Sequence, residues 1–261
     1  MVITSRENEL VKQYCKISSQ KKYREHTGLF CLEGVRLVCD AIKSGVVPEK
    51  ILITEKCLQK YHDELGNLLK THDMIMISDA VAQKMASVEH TQGVFALVKM
   101  LDKTLDIDTI RKGGQFLCLC QLQDPGNLGT IIRTAEAFGI NGMILHQTCD
   151  LYSPKVVRST MGSLFRMPFM VCPDLISFTK ELQQNRVKTF ATVVNPKANS
   201  LVNCDFSGAS VLYIGNEGNG LPEQIVDACD FPVTIRMKGN AESLNAAVAA
   251  QICMWEMTKE G

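Results

Sequence analysis

Residues 116–139 read FLCLCQLQDPGNLGTIIRTAEAFG and contain the clearest strand-to-helix transition in the chain. The first seven residues form an apolar run typical of a strand buried on both faces of a parallel sheet. Asp-Pro-Gly-Asn follows at 124–127, which is turn chemistry ending in a good helix-capping residue. The remaining residues predict a helix over 127–138. A strand that turns directly into a helix is the unit of an α/β fold.

The same alternation extends in both directions along the chain. It predicts later strands at 142–146, 188–194, 210–215 and 231–237, with helices at 154–162, 174–185, 222–229 and 243–258. It predicts earlier strands at 50–54, 74–78 and 93–100, with helices near 34–45, 56–71 and 79–88. Residues 101–114 are polar and end in two glycines, which is typical of a linker. We therefore predict an α/β fold with a small N-terminal domain (1–100), a linker (101–114) and a parallel-sheet domain (115–261).

Composition excludes several classes of protein. The chain has 261 residues, of which 46% are apolar and 21% are charged, so it can fill ordinary cores and is not disordered. The longest apolar-rich stretch, 244–254, is far shorter than the ~20 residues that a membrane span requires. The N-terminus lacks the apolar core of a signal peptide. We expect a soluble, cytoplasmic protein with no membrane partner.

Cysteine and histidine patterns predict neither disulfides nor a metal site. The eleven cysteines include no CxxC pair, and most lie in apolar runs where cysteine behaves as a small buried hydrophobe. The five histidines have no ligand spacing with one another or with the cysteines. We expect a reduced compartment and no bound metal.

Charge is balanced overall, with 28 basic and 28 acidic side chains, but not locally. Residues 1–24 have a local balance of +4, from Arg6, Lys12, Lys16, Lys21, Lys22 and Arg24 against Glu7 and Glu9. Such a stripe could contact RNA phosphates. A solvated helix face explains the same charges equally well.

Two further segments follow predicted strands, at the edge where parallel sheets place ligands. Residues 212–223, LYIGNEGNGLPE, contain three glycines in six residues, which lets the backbone approach a ligand. Their order, GxxGxG, reverses the dinucleotide fingerprint and counts against a Rossmann oxidoreductase. Glu217 in this loop would repel phosphate; it suits the orientation of a cation or hydroxyl, or else is a solvated carboxylate in a tight turn.

The third segment, residues 235–251, reads IRMKGNAESLNAAVAAQ and leads into a helix of small side chains. Ser243 and Asn245 are candidate caps of that helix. In the first segment, Asn127 and Arg133 are six residues apart, so both could face the strand ends; Arg133 could equally lie along its own helix as an amphipathic side chain.

Together, the three segments resemble the SpoU/TrmH family of the SPOUT class. DPGNLGTIIRTAEAFG, LYIGNEGNGL and M-x-G-x-x-E-S-L-N-x-x-V-A have the order and spacing of the family's three signature motifs. SPKVVRSTMGSLFRMPF at 153–169 is similar to a further family segment. FCLEGVRLV (30–38) and TQGVFALV (91–98) resemble the ribosomal-protein-like RNA-binding domain of its rRNA-modifying branch. The family often has proline where this chain has Arg236, which places that arginine at the cofactor rim or on a phosphate.

The resemblance implies an S-adenosylmethionine-dependent RNA ribose 2′-O-methyltransferase, with 23S ribosomal RNA as the expected substrate. A tRNA 2′-O-methyltransferase and a non-catalytic RNA-binding module of the same fold are the alternatives. It also implies a deep trefoil knot in the second domain and a homodimer with each active site completed near the dimer interface. The positions that match the family's cofactor site are Leu212, Ile214, Gly215, Asn216, Gly218, Gly220, Ile235, Met237, Gly239, Ser243 and Leu244.

By the same resemblance, Arg133 is the catalytic residue. Arginine stays protonated in proteins and is therefore a poor base. We expect Arg133 to anchor an RNA phosphate and to polarise the 2′-hydroxyl. Asn127 and Glu217 are expected to orient Arg133 and the ribose, and Ser243 and Asn245 to form the floor of the active site.

Overall fold

The computed structural model describes residues 2–69, 72–101 and 105–259, which divide into two compact units. Unit 1 contains the described residues up to 101 together with 150–166, and unit 2 contains those of 105–149 and 167–259. Of the expected linker at 101–114, residues 102–104 lie outside the described residues. Leu105 and Ile110, which follow them, are buried in the core of unit 2.

Unit 1 is built on a mixed five-stranded sheet. Its elements are β1 (Val2–Ile3), α1 (Glu9–Ser19), α2 (Lys21–Thr27), β2 (Leu29–Glu33), α3 (Val35–Lys43), β3 (Pro48–Thr54), α4 (Glu55–Lys60), α5 (His62–Leu69), β4 (Met74–Ile77), α6 (Asp79–Met85) and β5 (Val94–Lys99). The strand order is β1-β4-β3-β5-β2, and β5 is antiparallel to both of its neighbours. The three strands predicted in this region are confirmed, but β1 and β2 were not foreseen. Residues 70–71 of the helix predicted at 56–71 lie outside the described residues.

Unit 2 is built on a seven-stranded parallel sheet. Its elements are α7 (Ile107–Ile110), β6 (Gly114–Cys120), α8 (Pro125–Ala137), β7 (Gly142–His146), β8 (Phe169–Val171), α10 (Leu175–Gln184), β9 (Lys188–Thr192), β10 (Asn199–Ser200), β11 (Ala209–Ile214), α11 (Glu223–Ala228), β12 (Phe231–Thr234) and α12 (Ala246–Thr258); α9 (Pro154–Ser159) belongs to unit 1. None of the described helices is long and apolar enough to cross a membrane.

The sheet of unit 2 has the order β10-β12-β9-β11-β6-β7-β8, and each strand pair in it is parallel. Leu117 and Cys118 in β6, and Val211 and Tyr213 in β11, are completely buried. Their burial explains the near-continuous apolar runs of these central strands. The predicted parallel α/β architecture of this half of the chain is confirmed.

Residues 150–166 leave unit 2 after β7 and pack within unit 1. Asp150 accepts hydrogen bonds from the guanidinium of Arg24, whose side chain is 5% exposed. Tyr152 packs its ring against Phe30, with centroids 4.7 Å apart. The sequence-based boundaries assign this segment to the parallel-sheet domain. Within unit 1 the segment supplies the negative partner that the buried arginine requires.

The basic residues of the N-terminal stripe are partly neutralised within unit 1. Arg24 is buried against Asp150, so it does not belong to an exposed stripe. Two lysines lie near carboxylates, with Lys12 Nζ 3.1 Å from Glu7 and Lys21 Nζ 3.8 Å from Glu25.

Candidate active site

A cavity of about 430 Å³ opens at the carboxyl ends of three neighbouring strands of unit 2, β9, β11 and β12. Ligands of open parallel sheets bind at this edge. The cavity is lined by the strand ends, the loops that follow β11 and β12, and the start of α12: Thr192, Val193, Val194, Ile214, Gly215, Asn216, Glu217, Gly218, Asn219, Gly220, Leu221, Val233, Thr234, Ile235, Met237, Ser243, Leu244, Ala246 and Ala249. The second and third sequence motifs therefore meet at one cavity.

The loop after β11 folds back on itself. The backbones of Asn216 and Gly220 exchange two hydrogen bonds of 2.9 and 3.0 Å. A Cβ atom on Gly215 would lie 2.1 Å from the carbonyl carbon of Gly220, so this position has room only for glycine. Gly220 has a φ of +68°, in the left-handed region. Gly215 and Gly220 are therefore required by the shape of this loop.

Glu217 extends from this loop to the start of α8. Its Oε1 accepts hydrogen bonds from the backbone N–H of Asp124 at 2.9 Å and from the side-chain amide of Asn127 at 3.1 Å. Its Oε2 accepts one from the backbone N–H of Gln123 at 3.1 Å. The carboxylate therefore joins the second motif to the first, and it is not a freely solvated side chain.

The environment of Glu217 favours its ionised form. Partial burial by itself would raise the pKa of this carboxyl. Hydrogen bonds from the backbone of Asp124, from its own backbone, from Asn127 and from the backbone of Gln123 outweigh that effect and hold the pKa below its usual value. Glu217 therefore acts as a charged clamp on the start of α8.

Asn245 connects the third motif to the first. Its Oδ1 accepts hydrogen bonds from the backbone N–H groups of Ala247 and Val248, so it caps α12. Its Nδ2 donates to Oδ1 of Asn127 at 3.1 Å. A continuous polar network thus runs from Asn245 through Asn127 to Glu217, joining all three motifs.

Arg133 and Ser243 do not take part in this network. Arg133 is exposed on α8, and within the described part of the chain its guanidinium makes no hydrogen bond or ion pair. Ser243 is exposed and lines the cavity ahead of α12, whose cap is Asn245. The structure therefore joins Asn127, Glu217 and Asn245 by hydrogen bonds, and Arg133 makes no hydrogen bond with them.

Most of the positions expected at the cofactor line the cavity. They are Ile214, Gly215, Asn216, Gly218, Gly220, Ile235, Met237, Ser243 and Leu244. Leu212 lies in the buried interior of β11, and Gly239 is exposed in the loop before α12; neither lines the cavity.

Sequence reasoning missed the wall of the cavity formed by the end of β9. Thr192, Val193 and Val194 line it, although no motif marks them. The signal available was the predicted strand at 188–194, because its carboxyl end had to share the sheet edge with the other two strands. The order β12-β9-β11, which places β9 between them, could not be derived from the sequence.

Arg236 is engaged in contacts within unit 2. Its guanidinium donates to the carbonyl oxygen of Pro196 and, at 3.2 Å, to that of Ala198. These carbonyls belong to the loop that follows the cavity-lining Val194. Arg236 therefore ties this loop to the end of β12 beside the cavity rim. Among the described residues, no group of three or more His, Cys, Asp or Glu side chains is arranged to hold a metal ion.

Comparison with known families matches both halves of the chain. Residues 114–255 match the SpoU rRNA Methylase family, and residues 8–96 match the MRM3-like substrate binding domain. The first match spans the cavity, the polar network and Arg133. The second lies within unit 1.

Individual relatives match over almost the whole chain. The chain is 33% identical to the 23S rRNA (guanosine(2553)-2′-O)-methyltransferase RlmP of Bacillus subtilis (strain 168), over 98% of each chain. It is 31% identical to the 23S rRNA (uridine(2479)-2′-O)-methyltransferase of Streptomyces viridochromogenes, over 99% of this chain and 92% of the relative.

Solved structures give the same result. The SpoU methyltransferase AviRb from Streptomyces viridochromogenes, in complex with the cofactor AdoMet, matches with a TM-score of 0.85 and 28% identity over 97% of each chain. The AdoMet-bound rRNA methyltransferase from Sinorhizobium meliloti matches with a TM-score of 0.81 and 29% identity, over 98% of this chain and 97% of the other. With its second and third motifs at one cavity and the first joined to them by hydrogen bonds, the chain belongs to the SpoU rRNA Methylase family.

Proposed function

We propose that this chain transfers a methyl group from S-adenosylmethionine to a ribose 2′-hydroxyl of large-subunit ribosomal RNA. The observation that carries this proposal is the network of Asn127, Glu217 and Asn245, which joins the first family motif to the two motifs that line the cavity. Two relatives that match nearly the full chain are named as 23S rRNA 2′-O-methyltransferases. The match of residues 8–96 to a substrate-binding domain supports RNA docking by unit 1.

The cavity suits S-adenosylmethionine. Its volume of about 430 Å³ falls in the usual range for small-molecule sites. Gly215, Gly218 and Gly220 offer backbone groups without side chains in the way, and Ile235 and Leu244 offer apolar surface for a planar ring. When bound, the cofactor supplies a methyl group made electrophilic by its sulfonium.

The residues of the chain must hold the ribose hydroxyl in line with that methyl group and assist the loss of its proton. We assign to Arg133 the binding of an RNA phosphate and the polarisation of the hydroxyl, since guanidinium donors match phosphate oxygens bidentately. Asn127 and Glu217 keep the start of α8 in place, and Ser243 and Asn245 form the floor beside the cavity.

The role of Arg133 can be tested by two substitutions. Because Arg133 is exposed and its guanidinium makes no hydrogen bond or ion pair within the described part of the chain, neither Arg133→Lys nor Arg133→Ala should change the melting temperature. We expect both variants to bind S-adenosylmethionine normally and to lose turnover, since lysine lacks the planar fork of donors. Turnover close to wild type in Arg133→Lys would exclude a bidentate guanidinium role.

We further propose that the cofactor region is knotted, as the family resemblance implies, and that the protein works in the cytoplasm together with its ribosomal RNA substrate.

We also propose that the chain is a homodimer. Val248 and Trp255 support the dimer: they are 43% and 57% exposed and lie seven positions apart on one face of α12. A guanidinium at Arg133 that makes no hydrogen bond or ion pair with the described residues fits a site completed by a second copy. Sedimentation equilibrium should give a dimer, and Trp255→Glu should shift it to monomer.

The decisive experiment maps 2′-O-methylated riboses across total RNA from cells with and without the gene. We expect the loss of one large-subunit rRNA site, restored by the wild-type gene and not by Arg133→Ala. Loss of a tRNA site would preserve the chemistry and overturn the substrate assignment. An unchanged map, together with no methyl transfer by the purified protein to unmodified ribosomal RNA, would overturn the proposed function.

A further inference from the structure

Three glutamine side chains meet at the carboxyl ends of β6 and β7, beside the polar network. Gln121 and Gln147 are the residues directly after these paired strands, whose last partners are Cys120 and His146. Gln123 lies two residues further along, and its backbone N–H donates to Glu217. The three glutamines therefore lie on the edge of the sheet from which the first motif starts.

The backbone at this edge is held in an unusual conformation. Gln121 and Gln147 have φ values of 58° and 52°, a region that residues other than glycine rarely adopt. Hydrogen bonds maintain it: Gln121 N–H donates to the carbonyl of His146 at 2.8 Å, and Asn216 Nδ2 donates to the carbonyl of Gln121 at 2.8 Å. Strained backbone of this kind concentrates at functional sites.

The amides themselves form an ordered platform. Nε2 of Gln123 donates to the carbonyl oxygens of Gln121 and Gln147, at 3.2 and 3.0 Å. Nε2 of Gln121 donates to Oε1 of Gln147 at 3.2 Å. The opposite atoms of these two amides, Oε1 of Gln121 and Nε2 of Gln147, make no hydrogen bond with the described residues, and the side chain of Gln147 is exposed. An acceptor and a donor thus remain available side by side, on side chains whose positions are already ordered.

This pattern matches the edge of a nucleobase. A glutamine amide presents one acceptor and one donor, which is how amide side chains pair bidentately with base edges. Sequence-specific recognition of RNA targets unpaired bases through such edges. The shared framework leaves base choice open, because two relatives are named for a guanosine and for a uridine. Base choice must therefore come from side chains around the framework.

We propose that Gln121 and Gln147 hydrogen-bond the edge of the unpaired base on the nucleotide being methylated, and that this contact sets the base preference of the enzyme. The inference rests on the proposed function. The platform is linked to the polar network by Asn216 and by the backbone of Gln123, so a base held there lies beside the network that contains Asn127.

The test uses substitutions that suit the backbone. Gln147→Gly and Gln121→Gly remove the amides at positions where glycine is the least strained residue, so the fold is retained. Gln147→Asn shortens the amide by one methylene and tolerates the same φ. Gln184→Ala, at an exposed position on α10, is the matched control.

The substrates are four transcripts of the mapped rRNA region that differ only in having A, C, G or U at the target. Wild type and Gln184→Ala should prefer one base. The glycine variants should lose roughly 5- to 150-fold of that preference, the range for one bidentate base contact. Gln147→Asn should retain part of it. Calorimetric affinity for S-adenosylmethionine should change by less than about twofold.

The outcomes separate this inference from the proposed function. If wild type methylates the transcripts and the glycine variants keep its base preference, the inference is wrong and the proposed function stands. Absence of any base preference in wild type, or an equal loss of rate with all four transcripts in the variants, also overturns it. If wild type methylates none of the transcripts and no unmodified ribosomal RNA, the proposed function fails as well.

Discussion

Gly215→Ala tests whether the backbone shape of the loop after β11 creates the cofactor site. The added Cβ would lie 2.1 Å from the carbonyl carbon of Gly220, 2.3 Å from the backbone nitrogen of Leu221 and 2.5 Å from the carbonyl oxygen of Gly220. All three atoms are backbone, so no side chain can rotate to relieve the overlap. The loop must open and break the pairing of Asn216 with Gly220.

The cost follows from these contacts. The two backbone hydrogen bonds between Asn216 and Gly220 contribute about 0.5–1.5 kcal/mol each. Overpacking of a tight site adds about 1–3 kcal/mol. The free energy of unfolding should therefore fall by about 2–6 kcal/mol, which lowers the melting temperature by roughly 2–4 °C per kcal/mol. Because the same loop lines the cavity, the affinity for S-adenosylmethionine should fall at least about tenfold, or 1.4 kcal/mol.

Gly218→Ala is the matched control in the same loop. Its Cβ would meet only the side-chain oxygen of Asn216, at an ordinary 3.6 Å, and its φ is not in the left-handed region. We expect this variant to melt nearly as wild type does in differential scanning calorimetry, and to lose less cofactor affinity than Gly215→Ala does in isothermal titration calorimetry, because no backbone atom opposes its Cβ. Equal stability and equal cofactor affinity for the two variants would refute the argument from close approach.

Three other perturbations have definite expected outcomes. Asp150→Ala leaves the buried Arg24 without its anionic partner and should cost about 3–5 kcal/mol in urea unfolding, with Asp150→Asn costing less; a loss below about 1 kcal/mol would contradict the buried pair. Arg236→Ala removes two hydrogen bonds to loop 196–198. Because the loop is then held less firmly, the free energy of S-adenosylmethionine binding should become less favourable by about 1 kcal/mol, which is a roughly fivefold loss of affinity. Unchanged affinity would show that this loop does not shape the cavity rim. The folded-state pKa of Glu217 lies below its ordinary 4.5, so its carboxylate stabilises the fold above about pH 4.5, and this contribution is lost as the pH falls through the lower folded-state value. Glu217→Gln should therefore make the free energy of unfolding depend less on pH in the acid range. The same pH dependence in the variant and in wild type would contradict the role of Glu217 as a charged clamp on α8.

Local patterns predicted much of the fold because they report the burial of single segments. The apolar runs at 116–122 and 210–215 mark β6 and β11, which are the central strands and are buried on both faces. The shortest strands, β1 and β10, have only two residues each and cannot show periodicity. The antiparallel pairing of β5 with β2 and β3 was not foreseen, since residue patterns do not specify strand direction.

The candidate site was predictable as a set of segments and not as a set of contacts. Glycine spacing singled out Glu217, and capping chemistry singled out Asn127 and Asn245. Asn245 does cap α12, but the cap of α8 is Asp124, whose side chain accepts a hydrogen bond from the backbone N–H of Asn127. The orientation of Arg133 and the ribose by Glu217, which the family resemblance implies, stays a prediction; the contacts of its carboxylate are with the backbone at 123–124 and with Asn127.

Residue types and their local spacing were sufficient to specify the α/β class and the three motifs, and the family resemblance of those motifs implied the chemistry proposed for them. Tertiary structure alone decided which of these residues touch. Asn127 meets partners 90 and 118 positions away, and Arg24 meets one 126 positions away. Such pairs depend on strand order and on where each crossover returns to the sheet. The free energy that selects them is distributed over the whole core, and no local window of sequence contains it.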